Sequence, residues 1–416
     1  RREPKRIEQM GRVRTDDYAW LKDDNWQRVM RDPSLLRADI RAHLDSENAY
    51  TKHLMAGTEA LQERLYQEMR GRMKEDDSSV PTPDGAWDYY RRFVTGAQHP
   101  LYVRKPRGAD SGEQILIDVD ALAQGKAYYK VISAQHAPSH DLFAYAADEH
   151  GSEIYTIYVN DLASGETLAH AIGNCTGDFA WSPCSRFLFW TYRDDNGRPA
   201  RVYRRPARGG ADALVYDEPD DGFFLGVGVS ESRDFILIHG GNHSQSEYHL
   251  IPASNPTAAP LVFHGREPDL LYTPTHWGGR WYVLTNADGA VDFKIMVCEP
   301  GATSRPHWRE LVPHESGRFI IDIDAKRLRE GAKTTPGLML SVGEHLPFPN
   351  EIFEQERLNH RRDIEAQYND KMSWAFQRLL DVMFAREPYG FPVLGTVEAT
   401  DALRPQDPVA AWRSIT

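Results

Sequence analysis

Along residues 87–325 short apolar runs alternate with polar, glycine-rich separators, and the same apolar positions return at a nearly fixed step. Tyr102, Tyr155, Tyr203, Tyr248 and Phe293 sit in β-rich runs at spacings of 53, 48, 45 and 45 residues. Tyr89, Leu142, Phe187, Phe235 and Trp281 form a second series at 53, 45, 48 and 46. Two ladders sharing one period mean a repeated unit of several strands, and such a period suits the blades of a β-propeller. A blade is one small sheet that buries its faces only against its neighbours. A β-sandwich also repeats strands at short intervals, but it gives no reason for one strand to recur at a constant longer step.

The third unit shows the pattern in detail. Residues 179–181, 187–192, 200–204 and 213–216 are strand-like, and the separators Ser182-Pro183, Asp194-Asp195-Asn196-Gly197 and Arg208-Gly209-Gly210 are turn chemistry. Five units are visible. Residues 318–325 read as the first strand of a sixth, but Lys326-Arg327-Leu328-Arg329-Glu330-Gly331-Ala332-Lys333 follows with no strand alternation. From Asn350 the pattern turns helical through Ile352, Phe353, Ile364, Trp374, Leu380 and Phe384, until Pro388 and Gly390 stop it.

Ahead of the repeat, Asp32 with Pro33 reads as a helix cap, placing Leu36, Ile40 and Leu44 on one face before Gly57. Leu61, Leu65, Met69 and Met73 follow at a four-residue step, a second apolar stripe that needs a further domain or the propeller flank to cover it. The expected fold is mainly β. It is an incomplete β-propeller of about five blades over 78–325, with an N-terminal helical extension over 1–77 and a C-terminal, mainly helical segment over 326–416.

Composition narrows the function classes. With 416 residues, 41% hydrophobic and 11% aromatic, the chain can bury a large core. A net charge of −12 disfavours nucleic acid and anionic membranes as partners and suits short basic peptides. No apolar run approaches a membrane span and no apolar stretch follows the charged residues 1–6, so a cytoplasmic location is expected. Cys175, Cys184 and Cys298 lack metal-type spacing and read as buried or incidental thiols rather than a disulfide framework.

Several stretches carry a resemblance. Asp16-Asp17-Tyr18-Ala19-Trp20-Leu21-Lys22-Asp23-Asp24, Glu47-Asn48-Ala49-Tyr50, Asp148-Glu149-His150-Gly151-Ser152-Glu153-Ile154-Tyr155 and Asn160-Asp161-Leu162-Ala163-Ser164-Gly165-Glu166 resemble the oligopeptidase B group of the prolyl oligopeptidase family, collinearly over about 1–325. The resemblance implies a serine peptidase that cleaves short peptides after Arg or Lys. In it, a seven-bladed propeller restricts access to an α/β-hydrolase domain, and the N-terminal helices pack on that domain. The same resemblance makes the hydrolase domain the chain's expected intramolecular partner.

A hydrolase of that fold needs a nucleophile elbow, usually Gly-x-Ser-x-Gly, and no serine here has glycine at both flanking positions. Ser230 follows Gly228 but precedes Ser232, and reads as a turn residue. No catalytic residue is assigned, and the chain is expected to be inactive alone, with a non-catalytic peptide- or protein-binding scaffold as the alternative.

A second resemblance, over about 75 residues, is to pitrilysin-like inverzincins: Phe348-Pro349, Phe353-Glu354-Gln355-Glu356-Arg357, and Pro388-Tyr389-Gly390-Phe391-Pro392-Val393-Leu394-Gly395-Thr396, closing with Ala402-Leu403. That family's later zinc ligand would fall near Asp363, where the pattern expects Glu; Glu365 is two residues off. His-x-x-Glu-His is absent, and Ser341-Val342-Gly343-Glu344-His345 has serine in place of the first ligand, so neither metal nor cofactor is assigned and a metallopeptidase relative would be non-catalytic. His239 and His243 read as exposed turn residues, and Glu75-Asp76-Asp77 and the run 217–221 as solvated loops, the latter placed to attract a basic peptide at a propeller mouth. Two peptidase-like fragments joined inside one blade imply a fused, truncated or misassembled frame. Five blades of a seven-blade design would leave apolar end faces that favour marginal stability or oligomerisation.

Overall fold

The computed structural model describes residues 1–317 and 319–323. Residues 319–323 carry no strand, and the rest of the expected sixth-unit strand lies outside the described residues, as do the segment 326–416 and its pitrilysin-like stretches.

The chain opens on a hairpin that the sequence reading did not anticipate, β1 (Lys5–Gln9) and β2 (Arg12–Asp16), closed at Met10 and Gly11, both with positive φ. Three helices follow: α1 (Trp26–Arg31), α2 (Ala38–Met55) and α3 (Glu59–Arg70). Asp32 does cap, but it caps the short 3-10 turn Pro33–Leu35, accepting the Ser34 amide. Leu36 and Arg37 are then extended, and the Asp23 carboxylate accepts the Arg37 amide before α2 begins. Leu36 therefore leaves the expected stripe. Ile40 is buried, while Leu44 is exposed. Gly57 sits in the 3-10 turn between α2 and α3, which breaks the helix as expected. The second stripe, Leu61, Leu65, Met69 and Met73, is exposed along its length, and α3 buries none of its residues. Among the described residues, α1 alone of these three helices reaches the β region by hydrogen bonds, Arg31 to Asn174 and Asp195 and Gln27 to Asn196.

Five antiparallel blades follow. The first holds β3 (Thr82–Asp84), β4 (Trp87–Arg92), β5 (Leu101–Pro106) and β6 (Gln114–Asp118), and leads into α4 (Val119–Ala123), capped by Asp118. The second has β7 (Lys130–His136), β8 (Leu142–Asp148), β9 (Tyr155–Asp161) and the first half of β10 (Ile172–Trp181). The third uses the rest of β10 with β11 (Phe187–Arg193), β12 (Pro199–Pro206) and β13 (Ala213–Asp217). β14 (Phe224–Val229), β15 (Phe235–Gly241), β16 (Ser246–Pro252) and β17 (Leu261–His264) form the fourth. The fifth is β18 (Tyr272–Trp277), β19 (Arg280–Thr285), β20 (Lys294–Cys298) and β21 (Arg309–Val312).

β10 is one strand shared by two blades. Ile172 pairs with β9, Phe179, Ala180 and Trp181 pair with β11, and Cys175 pairs with both, so the second and third blades form one seven-stranded sheet. Gly177 lies between the two halves with φ +90, and a Cβ there would stand 2.4 Å from Ile132 Cγ2. The bend needs glycine for both its backbone conformation and its lack of a side chain.

Both aromatic ladders mark equivalent strands in all five blades, the second in β4, β8, β11, β15 and β19 and the first in or beside β5, β9, β12, β16 and β20. Register refines the second. Trp87, Leu142, Phe187, Phe235 and Trp281 are the residues opposite Pro106, Asp161, Pro206, Pro252 and Cys298, so the first blade's equivalent is Trp87 rather than Tyr89.

The core lies between blades. Val119, Phe143 and Tyr145 join the first to the second; Ile157, Phe179 and Leu188 the second to the third; Phe189, Ile236 and Ile251 the third to the fourth; Phe263, Tyr272 and Trp281 the fourth to the fifth. Within the described residues, no helix is long and apolar enough to cross a membrane.

If stability resides in these interlayers, Leu188→Ala, which empties a site only 1% exposed, should cost about 2–5 kcal/mol. Leu214→Ala on outer strand β13, where Leu214 is 54% exposed, should stay within about 0.5 kcal/mol. Urea unfolding of both variants checks this, and equal losses would contradict it.

Candidate functional site

Each blade turns from its innermost strand to the next through a residue with positive φ, two positions before the register residue: Gly85, His140, Ser185, Arg233 and Gly279. In the second, third and fourth blades the turn is closed by the same backbone bond, from Ala137, Ser182 and Ser230 to the carbonyls of Leu142, Phe187 and Phe235. The left-handed conformation costs an L-residue roughly 1–2 kcal/mol. Three blades nevertheless carry side chains there, and two of these, on His140 and Arg233, point into one cluster.

The cluster forms where the innermost strands of the first four blades converge. Asp84, at the end of β3, accepts from His136 Nε2 at 3.1 Å and from Arg233 Nη2 at 3.0 Å on the same oxygen, Oδ2. The His136 ring lies 3.7 Å from the Tyr89 ring, the two 5° from parallel, and the Tyr89 hydroxyl is 2.8 Å from His140 Nδ1. Arg104 donates to the His140 carbonyl at 2.6 Å and lies over the Trp87 ring. Gly85 is required at its position, since a Cβ would come within 2.6 Å of His140 Nε2.

Two cavities meet at this cluster. One, of about 400 Å³, is bounded by Gln135, Trp181, Val229 and Glu231; the other, of about 550 Å³, by Val80, Tyr90, Tyr102 and Phe143. Asp84, Ala134, His136 and Arg233 line both. The arrangement offers a carboxylate, a guanidinium, an imidazole and aromatic walls, which can bind a polar peptide-like ligand. Burial lowers the affinity of His136 for a proton, only partly offset by Asp84, so the ring is held neutral. Burial pushes the Asp84 carboxyl up, but its bonds to His136 and Arg233 outweigh that and hold it below the usual carboxylate range.

Ser230 is buried and serves the turn, its hydroxyl accepting the Phe235 amide. Beside it, Ser232, His276 and Asp234 have the composition of a hydrolytic triad without its wiring. Ser232 Oγ is 2.8 Å and Asp234 Oδ2 is 3.5 Å from the same imidazole nitrogen, Nδ1, while Nε2 is buried with no partner among the described residues. A working triad connects hydroxyl and acid through opposite nitrogens. No group of three histidine, cysteine or acidic side chains among the described residues is placed to hold a metal.

Other sequence candidates land elsewhere. His239 is not an exposed turn residue; it lies within β15, stacked on Tyr248 because that strand continues to Gly241. His243 is exposed in the following turn. Cys175 and Cys298 are buried, which pushes each thiol up to about 12, and Cys184 is exposed. Glu75 is held by Arg70 and the Gly96 amide.

The run 217–221 is not simply a solvated acidic loop. The Glu218 side chain is fully buried and paired with Arg266, which also bonds Glu247 and lies 3.7 Å over the Phe223 ring. Asp217 pairs with Arg201 and Asp221 with Arg198. Sequence reasoning missed Asp84, His136 and Arg233 because 52 and 149 residues separate the contacting pairs. The signal that could have found one of them, Arg233, is the constant offset of the turn residue from the ladder.

Residues 1–329 match the family described as prolyl oligopeptidase, N-terminal beta-propeller domain. Dipeptidyl aminopeptidase BI of Pseudoxanthomonas mexicana is 37% identical over 330 residues, 74% of this chain and 44% of that protein. Protease 2 of Moraxella lacunata is 30% identical over 298 residues, 69% of this chain and 41% of its own length. The structure of oligopeptidase B from Trypanosoma brucei with covalently bound antipain, in a closed form, superposes with a TM-score of 0.69 at 27% identity, covering 77% of this chain and 47% of that one. The chain thus spans less than half the length of these relatives.

Two outcomes follow from the electrostatics. His136, His239, His249 and His276 are all held below the ordinary imidazole range, chiefly by burial. Below about pH 6.5 the unfolded chain binds protons that the fold refuses, so the stabilisation is complete above that pH and is lost as pH falls through the depressed values. Melting temperature should drop by several degrees between pH 7 and pH 5; a flat profile over that window would refute the assignment. Arg266→Ala should cost roughly 3 kcal/mol or more by leaving buried Glu218 unpaired, read as a shift in urea midpoint, whereas a loss near zero would mean that Glu218 finds water or another partner.

Proposed function

Because the chain belongs to the prolyl oligopeptidase family by its N-terminal propeller, we propose that it is the access-controlling part of an oligopeptidase B-like serine peptidase acting on short peptides after Arg or Lys. The observation that carries the reading is the collinear match over residues 1–329 to relatives more than twice as long as the matched part. The chemistry is assigned to an α/β-hydrolase domain outside these 416 residues, in keeping with a sequence that has no Gly-x-Ser-x-Gly. The exposed stripe Leu61, Leu65, Met69 and Met73 supports this, since an apolar helix face of that length fits a domain surface. Three unpaired cysteines fit a reducing, cytoplasmic setting. The net charge of −12 favours cationic peptides as ligands by long-range attraction.

The cavities at the Asp84 cluster favour a second reading, in which the propeller binds peptides without turning them over. One experiment separates the two. The 416-residue chain alone should leave fluorogenic Arg- and Lys-peptides uncleaved, and adding a separately produced hydrolase domain from Protease 2 should restore cleavage after basic residues. Cleavage by the chain alone, or restored cleavage indifferent to the basic residue, would overturn the first reading. Peptide binding by fluorescence anisotropy, with no turnover in either mixture, would favour the second.

A further inference from the structure

We propose that the Asp84–Arg233 ion pair is a latch spanning the space between the first and fourth blades, and that its opening joins the two cavities it now divides. Asp84 belongs to β3 and Arg233 to the turn after β14, so the bond bypasses the second and third blades altogether. Both cavities are lined by this pair, with Ala134 and His136, and the bond therefore sits in the partition between spaces of about 400 and 550 Å³. The inference concerns the propeller alone and stands whether or not the chain serves a peptidase.

The two halves of the latch differ in mobility. Asp84 is anchored: its side chain is only 24% exposed, His136 shares its oxygen, and the His136 ring is clamped against Tyr89, whose hydroxyl is tied to His140. The backbone of Arg233 is also fixed, in the left-handed conformation, by the hydrogen bond its N–H donates to the Ser230 carbonyl at 2.8 Å. The Arg233 side chain is 58% exposed and reaches across to Asp84. The moving part is thus one guanidinium on a rigid turn, docking on a rigid carboxylate. With its cationic arm exposed, the pair is screened by salt, as a latch must be if it is to open and reclose.

The test is hydrogen–deuterium exchange on the 416-residue chain, following the β3–β4 hairpin and the turn 230–235, with β9 as an internal reference. Raising ionic strength from about 50 to about 500 mM should speed exchange in the first two segments by about fivefold and leave β9 unchanged. Arg233→Gln should show the fast rate at both ionic strengths. The charge-exchanged double variant, Asp84→Arg with Arg233→Asp, should regain slow exchange and its salt response. Rates in native chain and Arg233→Gln that coincide at low salt would overturn the latch. Should a variant not fold, the native salt series still decides, because an absent response there also overturns it.

Discussion

The fold depends on a geometric constraint: a sheet of four short strands has two apolar faces and cannot bury either by itself. Every large side chain that is fully enclosed among the described blades, Phe179, Phe189, Ile236, Ile251, Phe263 and Trp281 among them, lies in a layer between two neighbours. The second blade shows how tightly the layers close. All seven residues of β8 are buried, and Ala144, Ala146 and Ala147 let the adjoining sheets approach. Since the layers fix position and the turns do not, side chains at the turns are free to carry other roles. The Asp84 cluster draws Asp84, His136 and Arg233 from the ends and turns of three different blades.

That division explains what could be read from the sequence. Core residues recur because each blade repeats the same burial problem, so the ladders located equivalent strands in all five units. They could not locate register in the first blade, where Tyr89 and Trp87 are both aromatic and on the same face of β4, and only pairing with β5 distinguishes them. The Asp32 cap was legible and its helix was not, because the Asp23 carboxylate, a tertiary partner, holds Arg37 extended and delays α2. The hairpin at Lys5–Asp16 went unread because nearly all its residues are exposed and it shows no alternation of apolar and polar positions.

Charge was the least legible property. A surplus of acidic residues suggested open negative surface, yet the run at 217–221 is largely bound to Arg198, Arg201 and Arg266. Net charge describes the far field of the chain; which carboxylates remain available is decided locally, by arginines that the repeat brings in from other strands. His239 makes the same point for an uncharged ring. Two adjacent glycines look like a turn in the sequence, but in β15 they are the last two residues of a paired strand.

The strand shared by the second and third blades bears on how such an array of blades can change shape. Three of the four boundaries between the described blades are crossed by loops and side-chain packing, but at this one a single strand crosses, paired to β9 and to β11. Rotation there would break main-chain bonds in both sheets at once, whereas the other junctions are joined by side-chain packing and connecting loops. The two blades are therefore tied to each other through main-chain hydrogen bonds as well as side-chain packing. Evolutionary or engineered loss of a single blade is constrained in the same way: excision at this boundary would leave a neighbour without its inner or its outer strand.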